Sequence, residues 1–529
     1  MSADRRVAAL VLEVLASGPR TTRELLTELR AAGATGLSRA ALERVLDTDP
    51  RVVPDAEAPK GAWRLADAIG AAPGPAPGPA PGPAVGTRAA WEALGLRDWQ
   101  VEALAAWSED GRGVVEAVTG TGKTRLALAA VRAVVDRGGV ALVLVPTLEL
   151  QRQWVEALAG VVPRARIGRL GGGAADDLHE RDVVVATPSS AATLPIEPPP
   201  GRLGLLVADE AHRYGAPTWG EALREAFALR LALTATFERG DDGVAEVLEP
   251  YFGRVVLRYG FDRAVAEGTV APFSIALVGV ALDERERASY DDADRRVRRA
   301  HGELVSIGGV PRDPRELLPA LAAIVAEAER SGVGGPLARV ARDYLAAVRA
   351  RRDVAAGARA KLDVLASMAS GLAGRRTLVF TDTVEQAEAA ARRLAAGGLA
   401  AEELHGGLTE ERRRIRLALF RRGDLATLVA PRVLDEGVDV PDADVAVALS
   451  AFRTRRHLVQ RLGRVLRVKD DGREARLVLV HAVDTLEDPA RGGHADFLAE
   501  VTGVARAIDE PAPAGLAAWL AGPDDAGLG

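Results

Sequence analysis

The amino-acid sequence predicts an α/β protein with two parallel-sheet domains, a helical insert, and a small separate domain at the N-terminus. Short apolar strand candidates alternate with helical stretches in two runs, which is typical of parallel sheets covered on both faces. A charged, Arg- and Ala-rich helical segment, about 283–360, separates the two runs. A Pro-rich repeat, APGPAPGPAPGPAVG at Ala72–Gly86, precedes both and favours extended polyproline II.

The composition excludes several classes of protein. The 529 residues suffice for roughly three to four domains. With 68 Lys and Arg against 74 Asp and Glu, any surface for nucleic acid must be local. Because the chain has no cysteine, it has neither disulfides nor Cys-ligated zinc or iron–sulfur clusters. The N-terminal apolar run is interrupted by Glu13, and no apolar stretch could span a membrane. We therefore expect a cytoplasmic protein with no membrane partner.

The first element is a domain at residues 1–68, followed by a Pro/Gly-rich linker at 69–87. Three helices are predicted, Val7–Ala16, Thr22–Ala32 and Leu37–Leu46, and two β-like pieces, RVVP and GAWRLAD, follow them. Three helices and a hairpin resemble a winged helix, which is used on DNA and also for protein contacts.

The two larger domains follow in order. Residues 88–258 contain the strand candidates GVVEAV, VALVLVP, DVVVAT, GLLVAD and RLALTAT. Residues 259–487 include the helical insert and the strand candidates RRTLVFTDT, LATLVAP, DADVAVALSA and REARLVLVHAV. Residues 488–529 are predicted to form a helical tail that becomes flexible.

A phosphate-binding loop is predicted between the first strand candidate and a helix. TGTG at Thr119–Gly122 precedes Lys123 and Thr124, which open an apolar helix. Strand, loop and helix in this order are the context of a P-loop, and the N–H groups at the helix start favour an anion. The Lys would reach the β- and γ-phosphates and the Thr would bind Mg²⁺. Since Ala117 stands where the standard pattern has Gly, a simple glycine turn is the alternative.

Two further stretches carry groups suited to phosphate chemistry. LLVADEAHRY places Asp209 and Glu210 at the end of a buried strand, where open α/β sheets bind ligands. One carboxylate can hold Mg²⁺ and the other can orient water; an acidic helix start is the alternative. HLVQRLGRVLRVK, at His457–Lys469, spaces arginines along one helix face, which suits either an arginine finger or a solvated face.

The ordered set of motifs resembles the superfamily 2 helicases and translocases over about residues 88–485. The matching stretches, from the Q motif to motif VI, are LRDWQ, AVTGTGKT, VPTLELQRQW, ATPSS, DEAH, LTAT, LVFTDT, LHGGLTEERR, RVLDEGVDVPDA and QRLGRVLR. TATFERGDD is similar to an element of the XPB-like branch, with Gly240 between Arg239 and Asp241 where that branch has Glu. Phe237 replaces a Pro and Pro431 replaces a Thr of the family pattern. The insert sits where a DNA-gripping thumb would be.

This resemblance implies two RecA-like domains that close on ATP and Mg²⁺. The residues that it implies for catalysis are Lys123, Glu210, Gln460, Arg464 and Arg467. Those implied for nucleotide binding are Arg97, Gln100, Thr119, Gly120, Thr121, Gly122, Lys123, Thr124, Gly437 and Asp439. Thr124 and Asp209 would hold Mg²⁺, and His212, Thr234 and Thr236 would couple hydrolysis to domain closure. The residues implied for contact with nucleic acid are Thr147, Thr187, Ser189, Thr381 and Arg432.

The function that follows is an ATP-dependent DNA helicase or double-stranded DNA translocase. Its partner would be duplex or partly single-stranded DNA, without sequence preference, because phosphate contacts position a protein without reading bases. A protein partner could bind residues 1–68 or the C-terminal tail. The alternatives are an ATP-dependent RNA remodeller, the motor subunit of a DNA repair or defence complex, and a DNA-binding adaptor with a weak motor.

Overall fold

The computed structural model describes residues 85–239, 241–311, 314–431, 443–450, 465–469 and 471–522, with scattered positions between 11 and 65. The chain divides into two compact units, Met1–Ala80 and Pro81–Gly529. Five residues assigned to the site from the sequence lie outside the described residues: Arg432, Gly437, Asp439, Gln460 and Arg464.

The N-terminal unit contains a small antiparallel sheet. Its strands are β1 (Arg20–Thr21), β2 (Val52–Pro54) and β3 (Ala62–Leu65), in the order β1-β3-β2. Buried helical positions fall within all three predicted helices, at Val11, Leu15, Leu25, Leu29, Leu42 and Leu46. The two predicted β-like pieces pair, with Val52 opposite Leu65, and β1 is an additional strand. The winged-helix assignment stays a prediction.

The second unit begins with a sheet that is parallel except at one edge. Its strands are β4 (Arg112–Ala117), β5 (Val140–Leu144), β6 (Ile167–Gly171), β7 (Ala174–Ala175), β8 (Val183–Ala186), β9 (Gly204–Asp209), β10 (Leu229–Thr234) and β11 (Val255–Tyr259). Among the described residues their order is β11-β4-β10-β9-β5-β8-β6-β7, and only β7 is antiparallel to its neighbour. The five predicted strands are confirmed.

Helices cover both faces of this sheet. They are α1 (Arg88–Glu92), α2 (Asp98–Asp110), α3 (Lys123–Val135), α4 (Leu148–Val161), α5 (Pro188–Thr193), α6 (Pro217–Gly220) and α7 (Glu249–Phe252). After β11, α8 (Phe261–Ala266) leads to the second sheet. Successive β5 residues face opposite sides: Val143 packs in one core, whereas Leu142 and Leu144 pack in the other. Because both faces are buried, the strand is apolar throughout. Val85, within the predicted linker range, is buried in the first of these cores.

The second sheet is parallel throughout its described strands. These are β12 (Phe273–Val280), β13 (Thr377–Thr381), β14 (Ala401–Glu403), β15 (Thr427–Pro431), β16 (Val445–Ala448), β17 (Ala475–Ala482) and β18 (Ala507–Asp509). Their order is β14-β15-β13-β16-β17-β12-β18. The four strands predicted for this domain are confirmed. β12 lies before the insert, and β18, within the predicted tail, extends the sheet.

The predicted helical insert is confirmed. It consists of α9 (Glu284–Ile307), α10 (Pro314–Ser331) and α11 (Pro336–Ala356). Asp283 and Glu286 form a capping box at the start of α9, and Arg351 of α11 pairs with Asp294 of α9 at 2.6 Å. The remaining helices of this domain are α12 (Ala360–Leu372), α13 (Val384–Ala396), α14 (Glu410–Arg422), α15 (Ala495–Val501) and α16 (Leu516–Ala521). No helix in the described part of the chain has the length and apolarity to cross a bilayer.

Candidate functional site

The predicted P-loop is a tight turn between β4 and α3. Gly120 and Gly122 have φ angles of 89° and 103°, in the left-handed region that glycine adopts without strain. A Cβ on Gly122 would lie 2.9 Å from Gln100 Nε2, so any other residue there would also displace the Gln100 side chain. Thr121 Oγ1 donates to Val118 O at 2.8 Å, which fixes the loop from within.

Lys123 lies at the centre of the site. Its Nζ donates to Ala117 O at 2.6 Å and to Val118 O at 3.4 Å. Burial lowers the pKa of Lys123, and the charges of Glu210 and Asp209 partly oppose this. The ammonium group of Lys123 therefore has two carbonyl acceptors in its own loop and lies within the influence of two carboxylates.

Asp209 and Glu210 lie where β9 ends. Asp209 Oδ2 accepts a hydrogen bond from Trp154 Nε1, and its Oδ1 accepts one from the Glu210 N–H, both at 3.0 Å. Burial raises the pKa of Asp209, whereas the Trp154 bond and the Lys123 charge lower it. Glu210 has a φ of 53°, an uncommon conformation for a residue other than glycine. Such backbone strain clusters at functional sites.

The three predicted coupling residues form one hydrogen-bonded chain. His212 Nδ1 lies 3.1 Å from Thr234 Oγ1, and Thr234 Oγ1 donates to Thr236 O at 2.7 Å. Because that hydroxyl proton is already used, His212 Nδ1 must carry the proton and donate to Thr234. His212 Nδ1 is also 3.6 Å from a Glu210 carboxylate oxygen. The end of β9 is thus connected to the end of β10.

The residues of the predicted Q motif hold the P-loop backbone. Gln100 Oε1 accepts from the Arg97 N–H, and Gln100 Nε2 donates to Gly122 O, both at 2.9 Å. Arg97 Nη1 donates to Thr121 O at 3.0 Å. Both side chains therefore contact the nucleotide loop itself; the predicted contact with adenine stays a prediction.

The residues predicted to contact nucleic acid differ in exposure. Thr147 caps α4 by accepting from the Leu150 N–H at 3.2 Å, and Thr187 Oγ1 donates to Ser190 Oγ at 3.0 Å. Ser189 is exposed, whereas Thr381 is fully buried. Thr147 and Thr187 follow the paired strands β5 and β8, so they share one edge of the first sheet. Their role in binding stays a prediction.

Two side chains at the site were not assigned a role from the sequence. Trp154 contacts Asp209 from 55 positions away, and only its position in the stretch VPTLELQRQW could have indicated it. Arg239 donates to His212 O and to Asp241, each at 2.6 Å, which ties the XPB-like element to the DEAH segment.

Gly240 lies outside the described residues. Arg467 is half-buried, and its contact with a nucleotide stays a prediction.

The residues present suit a nucleotide with a divalent cation. Thr119 Oγ1, in the P-loop, is buried without a hydrogen-bond partner among the described residues, and a phosphate oxygen would satisfy it. Asp209 is a half-buried acid, and a cation would stabilise its ionised form. No cluster of three or more acidic, His or Cys side chains in the described part of the chain could hold a metal. A cation here would therefore share its ligands with phosphates, as Mg²⁺ usually does.

Two parallel α/β domains, with a P-loop at the end of β4 and paired acids at the end of β9, define a P-loop NTPase of the helicase class. Family models agree: residues 93–239 match the type III restriction enzyme, res subunit, and residues 360–469 match the helicase conserved C-terminal domain.

Comparison with individual relatives identifies the family within this class. The chain is 31% identical over 390 residues to the DNA 3'-5' translocase XPB2 of Sulfurisphaera tokodaii, covering 73% of this chain and 81% of that protein. It is 27% identical to the DNA 3'-5' helicase XPB of Kineococcus radiotolerans, covering 78% of this chain but 64% of that one. S. cerevisiae Dbp5 bound to RNA and ADP BeF3 shares the fold, with a TM-score of 0.51, 15% identity, and 82% and 94% of the two chains covered. The chain belongs to the XPB-like family of superfamily 2 helicases and translocases.

Proposed function

We propose that this protein is an ATP-dependent DNA translocase or helicase, which uses closure of two RecA-like domains on ATP to move along DNA. The observation that supports this most strongly is the grouping of Lys123, Asp209 and Glu210 beside the hydrogen-bonded chain from His212 to Thr234. A site for ATP hydrolysis is thus joined to the segment that follows β10.

On the first domain, each residue would have a separate task. Lys123 would exchange its bond to Ala117 O for the β- and γ-phosphates. Thr124 and Asp209 would hold Mg²⁺, which supplies charge neutralisation on the phosphates. Glu210 has a left-handed backbone conformation, which turns the chain away from the direction of the strand. Its side chain would orient the attacking water. Arg97 and Gln100 would keep the P-loop in register.

On the second domain, the arginines would complete the site. Arg464 and Arg467 would stabilise charge on the transferred phosphate, with Gln460 beside them, and Gly437 and Asp439 would approach the ribose or phosphates. ATP would thus draw the domains together and hydrolysis would release them. His212, Thr234 and Thr236 would transmit the change within the first domain.

DNA would bind across both domains through phosphate contacts. Thr147, Thr187 and Ser189 on the first domain and Thr381 and Arg432 on the second are the proposed contacts. Because the two relatives compared above are named for 3'-5' movement, we propose the same direction. The preference for DNA rests on those relatives.

The test is the ATPase rate with single-stranded DNA, duplex DNA and RNA in turn. Stimulation by DNA, and displacement of a strand from a duplex with a 3' tail but not a 5' tail, would support the proposal. Stimulation by RNA alone would favour an RNA remodeller. A protein that binds DNA but hydrolyses no ATP would be an adaptor, and the proposal would fail.

A further inference from the structure

The chain passes from the first sheet to the second through a buried segment. After α8, residues 269–271 form this connecting segment, which leads to β12. Val270 and Ala271 are both buried. The Ala271 N–H donates to Leu466 O at 2.8 Å, and Leu466 directly precedes Arg467. The connecting segment is therefore bonded to the chain beside one of the arginines assigned to the nucleotide site.

The hydroxyl group of Tyr259, the last residue of β11, holds the start of the connecting segment. It donates to Glu267 Oε2 at 2.8 Å and lies 2.8 Å from Thr269 Oγ1. Thr269 Oγ1 also donates to Ala264 O, in α8, at 3.0 Å. Because Tyr259 and Thr269 are both buried, water does not replace their contact when one hydroxyl is removed.

The ring of Tyr259 packs on the helix beside the P-loop. It stacks on the buried indole of Trp99, with ring centroids 4.6 Å apart and an angle of 21° between the planes. Such a pair stabilises the fold beyond the area that it buries. Trp99 precedes Gln100, whose side chain donates to Gly122 O of the P-loop. Tyr259 thus contacts this helix through its ring and the connecting segment through its hydroxyl group.

We propose that Tyr259 is a positioning residue, which fixes Arg467 relative to the P-loop through the connecting segment. The proposal rests on the proposed function, in which Arg467 acts on phosphates that the P-loop holds. An ion-pair network supports the same link: Arg263 of α8 donates to Glu102 of α2 at 2.7 Å and to Glu267 at 2.6 Å. Since contact alone does not establish coupling, the test compares single and double variants.

The experiment is steady-state ATPase of the full chain with saturating DNA. Tyr259→Phe keeps the ring on Trp99 and removes the hydroxyl group. We expect kcat to fall by about tenfold, the effect of one buried hydrogen bond, with KM for ATP unchanged, because an interaction made only in the transition state is lost. The double variant Tyr259→Phe/Arg467→Ala should be no slower than Arg467→Ala, since both changes remove the same interaction.

Tyr251→Phe is the matched control for the loss of a buried hydroxyl group. Tyr251 is buried in the other core of the first domain, and its hydroxyl donates to Arg224 O at 2.6 Å. This variant should keep the kcat of the wild type. If Tyr259→Phe does not fold, Thr269→Val removes the same contact from its other side.

Hydrogen exchange of the Ala271 amide tests the link without hydrolysis. In Tyr259→Phe without nucleotide this amide should exchange faster than in the wild type, whereas Tyr251→Phe should leave its rate unchanged. Unchanged exchange in Tyr259→Phe would overturn the proposal, and so would kinetic effects of Tyr259→Phe and Arg467→Ala that simply add. A wild-type chain that hydrolyses no ATP would refute the proposed function, and the exchange rates would still decide whether Tyr259 holds the connecting segment against Leu466.

Discussion

Lys123 Nζ lies 2.6 Å from the carbonyl oxygen of Ala117, the last residue of β4. The lysine is therefore held by a neutral acceptor of its own loop. A triphosphate would replace this acceptor with an ionised one, and charge-assisted bonds are roughly twice as strong as neutral ones. The loop can thus keep the half-buried ammonium group of Lys123 satisfied without nucleotide and release it to phosphate when ATP enters.

Lys123→Ala should abolish ATP hydrolysis, because the β- and γ-phosphates lose their positive partner. The measurement is steady-state ATPase with saturating DNA. Arg125→Ala is the control: this neighbouring arginine is exposed and donates to Gly95 O outside the site, so turnover should be retained. Wild-type turnover in Lys123→Ala would contradict the P-loop assignment.

Glu210→Gln should bind ATP but hydrolyse it roughly 10²–10⁴ times more slowly, the usual contribution of a general base. The amide keeps the shape of the side chain and cannot accept a proton from water. Nucleotide affinity and single-turnover hydrolysis should be measured together, with the exposed Glu221→Gln as control. A variant that loses ATP affinity while its turnover is unchanged would place Glu210 in ground-state binding instead.

Trp154→Phe should move the acid limb of the ATPase pH profile to higher pH. The indole N–H stabilises the ionised Asp209, so its loss raises the pKa of Asp209 further. Asp209 is ionised above its pKa and protonated below it, so activity that needs the carboxylate is lost as pH falls, and sooner in the variant. Trp107→Phe is the matched control, because it removes another buried indole bond, to Arg230 O at 3.0 Å.

The Trp107→Phe control separates an electrostatic effect on Asp209 from a general loss of protein stability. Both tryptophan variants lose packing and one buried hydrogen bond, so both should be less stable. Only Trp154→Phe should shift the acid limb. An unshifted profile would mean that ionisation of Asp209 does not limit hydrolysis.

His494→Asn should reduce the loss of unfolding free energy that occurs as the pH falls into the acid range. Burial lowers the pKa of His494 to about 4, whereas an unfolded histidine titrates near 6.5. Between these values the unfolded chain binds the proton and the folded chain does not, so stability falls as pH drops. From about pH 7 to pH 5 this one group accounts for up to about 2 kcal/mol. Asn tolerates the left-handed backbone at this position, where φ is 59°.

Urea unfolding at the two pH values measures this effect. His179→Asn is the control, because His179 is exposed and its loss should leave the pH dependence as in the wild type. If His494→Asn and the wild type lose the same unfolding free energy between the two pH values, the prediction is contradicted.

Sequence periodicity predicted the central strands of both sheets and missed strands at or next to the sheet edges. β5 and β9 are continuous apolar runs because helices cover both faces. β14 is only AEE and β6 contains Arg169, so their pairing partners and not their composition make them strands. β12 is apolar, but its partner β17 lies about 200 positions later. β12 lies within residues 259–487, which the sequence assigned to the second domain, but its pairing with β17 across the insert could not be inferred from the residues around it.

The candidate site was predictable where motif spacing defines it. Lys123, Asp209 and Glu210 end or follow buried strands, and parallel strands bring such ends together. The Trp154 bond to Asp209 joins α4 to β9 and follows from packing, which one sequence does not specify. The Gln100 bond to Gly122 O likewise depends on how α2 packs beside the loop.

Removal of residues 1–80 should leave the motor folded and active. The chain divides between Ala80 and Pro81, within the predicted linker, and few contacts are expected to cross such a boundary. The cut must precede Val85, which is 1% exposed in the core; a chain that starts at residue 87 should be less stable. ATPase stimulated by nucleic acid should survive in 81–529.

What should change in 81–529 is binding to duplex DNA. If the predicted third helix, Leu37–Leu46, and the hairpin around Lys60 bind phosphates, the truncated chain should bind more weakly. The dependence of log affinity on log salt should also become shallower, by about 0.9 for each phosphate that the truncated chain no longer neutralises. Fluorescence anisotropy over a salt series, with the full chain as reference, measures both. Equal affinity and slope would mean that the N-terminal unit does not hold DNA, and a protein partner would become the better assignment. An insoluble 81–529 would instead contradict the domain division.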